Sequence, residues 1–185
     1  MSNIHIPESP WFSYRDGALA CDQVALESIA SEFDTPAFVY SGAAIDDAYR
    51  SIDEALSFAP HLIAYAIKAN GNLAVLSRLA SQGCGADIVS IGEMQRALKA
   101  GFPPERIIYS GVGKRREEIV AAARAGIRAL HVENLQELDV VESVALELGR
   151  SLAIGLRVNP DVDAQTHPYI ATGLRESKFG LSIPV

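Results

Sequence analysis

The sequence has 185 residues, of which 49% are hydrophobic and 21% are charged, and its formal net charge is -7. This composition is typical of a globular protein with a substantial core, and the negative charge argues against a nucleic-acid or anionic-membrane surface. No apolar run approaches the roughly 18 residues of a membrane helix. The N-terminus lacks the basic and apolar regions of a secretory signal. We therefore expect a cytoplasmic protein that binds neither nucleic acid nor membrane.

Residues 1–60 are predicted to form a segment separate from the rest of the chain. Apolar residues on both sides of Asp16-Gly17 predict a β-hairpin. Residues 36–40, Pro-Ala-Phe-Val-Tyr, predict a further strand. Ser41 is expected to cap a helix that ends before Pro60.

Regular alternation of strand and helix patterns begins near residue 62. The strand-like apolar runs begin near Leu62, Ala86, Ile107, Ala129 and Leu152. Amphipathic helical stretches lie between them and end at Gly83, Gly101, Gly126 and Gly149. Such alternation predicts a parallel sheet with helical crossovers, and both an open doubly wound sheet and a (β/α)8 barrel fit it. No GxGxxG motif opens the first helix, which weakens the dinucleotide-binding alternative. A full barrel needs roughly 250 residues, so residues 61–185 are expected to form about its first five strands.

Lys68 follows the first of these apolar runs, and ligands bind at the carboxyl ends of parallel strands. Position alone does not establish a function, because many strands end in lysine where they reach solvent. Polar residues also occur at the ends of the other predicted strands: Asp87, Ser90, Ser110, Glu133, Asn134, Arg157 and Asn159. In a barrel, all of these ends surround one mouth.

Asp87 and Arg157 each interrupt an apolar run, and a buried charge requires a partner. We expect both to be held by ionic pairing within the barrel mouth. A lysine, an aspartate and an arginine around one mouth indicate Schiff-base chemistry, in which a neutral lysine amine attacks a carbonyl. Pyridoxal 5'-phosphate (PLP) is one carbonyl cofactor held in this way. A class I aldolase would use the same lysine directly on its substrate, and the spacing does not separate the two.

No metal site is predicted. Cys21 and Cys84 lie far apart, with no CxxC pattern or clustered histidine, and are expected to stay reduced. His61 and His131 are expected to be ordinary core or strand-edge residues.

Several motifs resemble those of the fold-type III PLP-dependent decarboxylases, a superfamily that includes ornithine, arginine and diaminopimelate decarboxylases. The resemblance extends from about Trp11 to the last residue. Its motifs are Tyr65–Asn70, Gly85–Ser90, Gly92-Glu93, Ser110–Lys114, Leu156–Asp161 and Lys178–Gly180. The block 159–173 resembles the diaminopimelate decarboxylases in particular.

The resemblance implies an α/β fold with an alanine racemase-like, PLP-binding (β/α)8 TIM barrel that begins near residue 61. Residues 1–60 would contribute to a separate β domain. By motif, Lys68 matches the lysine that bonds PLP covalently, and Asp87 matches an aspartate near that lysine. Arg157 matches an arginine beneath the cofactor.

Lys178 matches a lysine that, in relatives, lies near the subunit interface where two active sites form, so a substrate or interface role and a homodimer are implied. The implied reaction of the intact protein is decarboxylation of meso-2,6-diaminopimelate to L-lysine and CO2, in lysine biosynthesis. Alternatives are another basic amino acid decarboxylase of the same fold, or a non-catalytic PLP-binding or regulatory homologue. Other functional groups of the family lie beyond position 185, so this chain alone is expected to be inactive.

Overall fold

The computed structural model describes residues 9–162 and 180–182. The chain divides into two compact units between His61 and Leu62. The assignment of the first unit to a larger β domain stays a prediction. So does the assignment of the second unit to an alanine racemase-like barrel.

The first unit contains a three-stranded antiparallel sheet in the order β1-β2-β3. The predicted hairpin is confirmed: β1 pairs with β2, and both Asp16 and Gly17 in the turn have positive φ angles. The predicted cap is confirmed as well, because the Ser41 hydroxyl oxygen accepts a hydrogen bond from the Ala44 N–H at 2.9 Å. The elements of this unit are β1 (Phe12–Arg15), β2 (Ala18–Cys21), β3 (Val24–Ala25), α1 (Leu26–Phe33) and α2 (Gly42–Ala55).

The strand predicted at residues 36–40 is wrong. These residues belong to neither a helix nor a strand, and Phe38 is 93% exposed. A strand needs a neighbour to accept and donate its backbone hydrogen bonds, and no described segment of this unit pairs with residues 36–40. Helix α1 was not predicted, although Leu26, Ile29 and Phe33 have helical spacing.

The second unit confirms the predicted alternation of strands and helices. Its five-stranded sheet has the order β4-β5-β6-β7-β8, and every pair is parallel. Successive helices pack against one another. Two short strands, β9 and β10, form a further parallel pair. The elements are β4 (Ala64–Ala66), α3 (Leu73–Ser81), β5 (Gly85–Ile88), α4 (Ile91–Ala100), β6 (Ile107–Tyr109), α5 (Arg116–Ala125), β7 (Ala129–Val132), α6 (Leu135–Leu148), β8 (Ile154–Leu156), β9 (Val158–Asn159) and β10 (Leu181–Ser182).

Two of the strand-to-helix junctions share one arrangement. At the start of α4, the Ser90 hydroxyl oxygen accepts from the Glu93 N–H, and the Glu93 carboxylate accepts from the Val89 N–H at 2.7 Å. At the start of α6, the Asn134 side chain accepts from the Glu137 N–H, and the Glu137 carboxylate accepts from the Glu133 N–H at 2.7 Å. Each glutamate therefore fastens the first turn of its helix to the end of the preceding strand.

The core of the second unit lies between the sheet and its helices. Burying each large apolar side chain contributes about 1.5–3 kcal/mol. Tyr109 is only 1% exposed, and burial, with a smaller contribution from the nearby Glu118 carboxylate, raises its pKa to about 12. None of the helices within the described ranges is long and apolar enough to cross a membrane. The most deeply buried residues of this core include Ile67, Leu76, Ile88, Phe102, Ile107, Ile119, Val132 and Val144.

Candidate active site at the carboxyl ends of the strands

The carboxyl ends of β4 to β8 border a cavity of about 680 Å³. Cofactor and small-molecule sites typically have volumes of about 300–1,000 Å³. Three predicted site residues, Lys68, Asp87 and Arg157, all line this cavity. They come from β4, β5 and β8 respectively, or from the residues just after these strands, so the parallel sheet brings them together as the carboxyl-end rule predicts. Lys178 lies outside the described residues.

Lys68 lies in a single 3-10 turn, Ile67–Ala69, that directly follows β4. Ile67 is 1% exposed and anchors this turn in the core, whereas Lys68 is exposed. The Tyr65 hydroxyl donates to the Asn70 carbonyl oxygen at 3.4 Å and ties the end of the turn back to the strand. The backbone at Lys68 is thus fixed while its amine stays accessible from the cavity.

Asp87 lies within β5, between the fully buried Ala86 and Ile88. Side chains alternate along a strand, so Asp87 points to the opposite side and borders the cavity. Its Oδ1 atom is buried, and no group in the described part of the chain hydrogen-bonds to it. The ionic pairing predicted for Asp87 is therefore wrong for Oδ1. A buried acceptor without a donor is costly, and a ligand that carries an N–H or O–H group would satisfy it.

Arg157 follows β8 directly, and it is less buried than predicted, with 38% of its side chain exposed. The ionic pairing expected for it is found with Glu133, whose Oε1 accepts from Arg157 Nη1 at 2.9 Å. Glu133 follows β7, the neighbouring strand, and only 6% of its side chain is exposed. Glu133 does not line the cavity, and its second oxygen, Oε2, is buried without a hydrogen-bond partner among the described residues.

Gly111 closes the cavity on the side of β6. A Cβ atom added to it would lie 2.4 Å from the carbonyl oxygen of Val89, another residue of the cavity wall. Backbone bonds from the Ser110 and Gly111 N–H groups to the Ile88 carbonyl oxygen, at 2.9 and 3.2 Å, hold the two strand ends together. Only glycine permits this close approach without a displacement of the backbone.

His131, expected from the sequence to be an ordinary core or strand-edge residue, is a cavity residue. It lies in β7 as predicted and also lines the cavity. Its ring lies so close to Gly155 that an added Cβ there would be 2.8 Å from Cδ2 of His131. The period-2 alternation of β7, with Leu130 and Val132 buried, places His131 on the cavity side and could have identified it.

Comparison with known proteins identifies the family. Residues 43–184 match the family model described as the pyridoxal binding domain of pyridoxal-dependent decarboxylases. The chain belongs to this family. Among curated relatives, it is 52% identical to a diaminopimelate decarboxylase of Pseudomonas aeruginosa over 172 residues, which are 93% of this chain and 41% of that protein. The chain therefore spans about two fifths of the length of the relatives that it matches.

Solved structures agree with this assignment. The diaminopimelate decarboxylase of Helicobacter pylori complexed with L-lysine has a TM-score of 0.82 and 48% identity, covering 85% of this chain and 40% of that one. The enzyme from M. jannaschii in co-complex with L-lysine has a TM-score of 0.86 and 37% identity, covering 94% and 42%. These likenesses confirm the predicted α/β fold, a partial (β/α)8 barrel preceded by a β segment.

The cavity fits the cofactor of this family, pyridoxal phosphate. Lys68 offers an accessible amine, Asp87 offers a buried carboxylate oxygen that lacks a donor, and Arg157 offers a cationic group. These groups match a ligand that carries a carbonyl, a polar ring and negative charge. The assignment of the three residues to the cofactor stays a prediction.

Proposed function

We propose that the intact protein, meaning the natural polypeptide that contains these 185 residues, is a PLP-dependent diaminopimelate decarboxylase. It would convert meso-2,6-diaminopimelate to L-lysine and CO2 in lysine biosynthesis. The observation that carries the proposal is the cavity in which Lys68, Asp87 and Arg157 meet at the carboxyl ends of parallel strands. The identity of 52% to a relative of that name, over 93% of this chain, supports the choice of reaction.

Each residue has a distinct task in this proposal. Lys68 holds the cofactor through Nζ, which the fixed turn after β4 presents to the cavity. Asp87 accepts a hydrogen bond from the bound group through its Oδ1, and Arg157 supplies a positive charge just after β8, at the other edge of the sheet from β4. Bound PLP supplies an electron sink for the electron pair that remains when CO2 leaves.

The remaining features of the proposal concern the intact protein. Its substrate is a small amino acid, in keeping with the L-lysine bound in the two solved relatives. We place it in the cytoplasm as a homodimer, with Lys178 near the subunit interface, and without nucleic-acid or membrane partners. The net charge of -7 supports the absence of a nucleic-acid surface.

The test is to incubate the purified intact protein with PLP and meso-2,6-diaminopimelate and to measure CO2 and L-lysine together. L-Ornithine, L-arginine and L-lysine are each tested as the alternative substrate in separate incubations. Borohydride reduction followed by peptide mapping should place the pyridoxyl group on Lys68, and the Lys68→Ala variant should take up no label. Faster turnover of another basic amino acid would favour the alternative decarboxylase. Labelling of Lys68 without turnover of any substrate would favour a non-catalytic PLP-binding homologue.

A further inference from the structure

Behind the cavity wall lies a buried group of charged residues that do not line the cavity. Lys114, two residues before α5, has a side chain that is 1% exposed, and Glu137 in α6 has one that is 7% exposed. Charges this deeply buried are rare unless they are paired. Lys114 Nζ lies 2.7 Å from Glu137 Oε1, and we refer to these two residues as the buried pair.

The buried pair holds both sides of the end of β7. The Lys114 ammonium also donates to the His131 carbonyl oxygen at 2.5 Å, while Glu137 Oε2 accepts from the Glu133 N–H at 2.7 Å. Two backbone groups that flank Val132 are thus fixed by one lysine and one carboxylate. The Tyr109 ring, 5.4 Å below the ammonium, closes the remaining side.

The contacts continue from the buried pair to the cavity. Glu133, whose N–H is held by Glu137, accepts from Arg157 Nη1 through Oε1 at 2.9 Å. The order of contacts is therefore Lys114, Glu137, Glu133 and Arg157. Only the last of these four borders the cavity.

The junction at α4 shows that helix capping alone does not explain this arrangement. There Glu93 accepts from the Val89 N–H as Glu137 does from Glu133, and no ion pair of Glu93 is seen among the described residues. Capping thus needs no lysine. Buried ion pairs are also weak contributors to stability, because desolvation offsets their attraction. At the α6 junction, Lys114 adds a bond to the His131 carbonyl oxygen, and Glu133 adds a bond to Arg157.

We propose that Lys114, Glu137 and Glu133 are positioning residues that fix the His131 and Arg157 wall of the cavity. The bond to Glu133 restricts the rotamers of the long arginine side chain, and its loss would leave the cationic group less well placed for an anionic or aromatic ligand. The benefit to PLP binding rests on the proposed function. The positioning of Arg157 does not, because it is a property of the cofactor-free protein.

The experiment measures Arg157 directly in the cofactor-free intact protein. Phenylglyoxal modifies exposed guanidinium groups, and peptide mass mapping gives the rate at each arginine. In the Glu133→Gln variant, loss of the charged acceptor should raise the rate at Arg157 by about tenfold, the equivalent of about 1.4 kcal/mol. The paired change Lys114→Met with Glu137→Gln removes both buried charges together and should raise the rate at Arg157 by a smaller factor.

Glu147→Gln is the matched control. It makes the same glutamate-to-glutamine change as Glu133→Gln, but at an exposed carboxylate of α6 that pairs with Arg116. It should raise the rate at Arg116 and leave that at Arg157 unchanged. Arg150, which donates to the Ala123 carbonyl oxygen, serves as an internal reference in every variant. Should Glu133→Gln fail to fold, Glu133→Asp withdraws the carboxylate by one methylene group and keeps its charge.

The outcomes separate this inference from the proposed function. Faster modification of Arg157 with weaker PLP binding, by about tenfold, supports both. Faster modification with unchanged PLP affinity supports the positioning role and contradicts the role of Arg157 toward the cofactor. An unchanged rate at Arg157 in Glu133→Gln overturns the inference, whether or not the variant is less stable.

Discussion

The contact at Gly111 allows a quantitative prediction. Replacing Gly111 with alanine places a Cβ 2.4 Å from the Val89 carbonyl oxygen, with two further backbone atoms at 2.7 and 2.8 Å. Moving the closest contact to an ordinary 3.4 Å requires a shift of 1.0 Å. Because every atom in the way belongs to the backbone, no side chain can rotate to relieve the overlap.

The cost follows from the bonds that this shift would strain. Overpacking costs about 1–3 kcal/mol, and the two backbone bonds to Ile88 contribute about 0.5–1.5 kcal/mol each when intact. We expect Gly111→Ala to lower the free energy of unfolding by about 2–4 kcal/mol. Since a displacement of about 1 Å can reduce catalysis about 100-fold, kcat of the proposed decarboxylation should fall by about 10- to 100-fold.

The assay is urea unfolding of the intact protein, together with the initial rate of CO2 release. Gly92→Ala is the matched control: its Cβ would meet only the Ser90 side chain, at 3.8 Å, and its helical site should gain up to about 1 kcal/mol. The reasoning is refuted if Gly111→Ala unfolds at the same urea concentration as the unchanged protein and retains its rate.

Three further predictions concern single groups and the isolated chain. Asp87→Asn should raise the stability of the cofactor-free protein by about 1 kcal/mol, because it removes a charge from an oxygen without a partner. The same change should weaken PLP binding. A loss of stability would contradict the prediction. Because the pKa of Tyr109 is raised from 10.0 to about 12, its contribution to stability is intact below pH 10. That contribution is lost as the pH rises toward 12, at about 1.4 kcal/mol per pH unit, and Tyr109→Phe should abolish this decline in alkaline urea titrations. Residues 1–185 expressed alone should associate through the edges of the sheet and should release no CO2. Sedimentation measures the association, and a CO2 assay measures the activity. A stable monomer would contradict the first expectation, and measurable turnover would contradict the second.

The parallel sheet could be predicted from sequence because its signals are local. Each strand is a short apolar run, and glycines with left-handed φ angles end α4, α5 and α6 at Gly101, Gly126 and Gly149. The convergence of Lys68 and Asp87 on one cavity then follows from a general property of parallel sheets.

The partners of the site residues could not be predicted in the same way. Arg157 pairs with Glu133 because β7 and β8 are neighbours in a register that aligns Val132 with Leu156. Such lateral contacts depend on strand register and rotamers, which a single sequence does not specify. The strand expected at residues 36–40 failed for a related reason, since strand formation depends on a partner elsewhere in the chain.

The paired junctions at α4 and α6 also bear on how the second unit folds. Their closing bonds join residues only three or four positions apart, as in Val89 with Glu93 and Glu133 with Glu137. Loops this short lose little entropy on closure, so they form sooner than pairings between distant strands. Each strand end can therefore acquire its turn before its neighbour arrives, and the cavity wall is assembled from pieces that are already shaped.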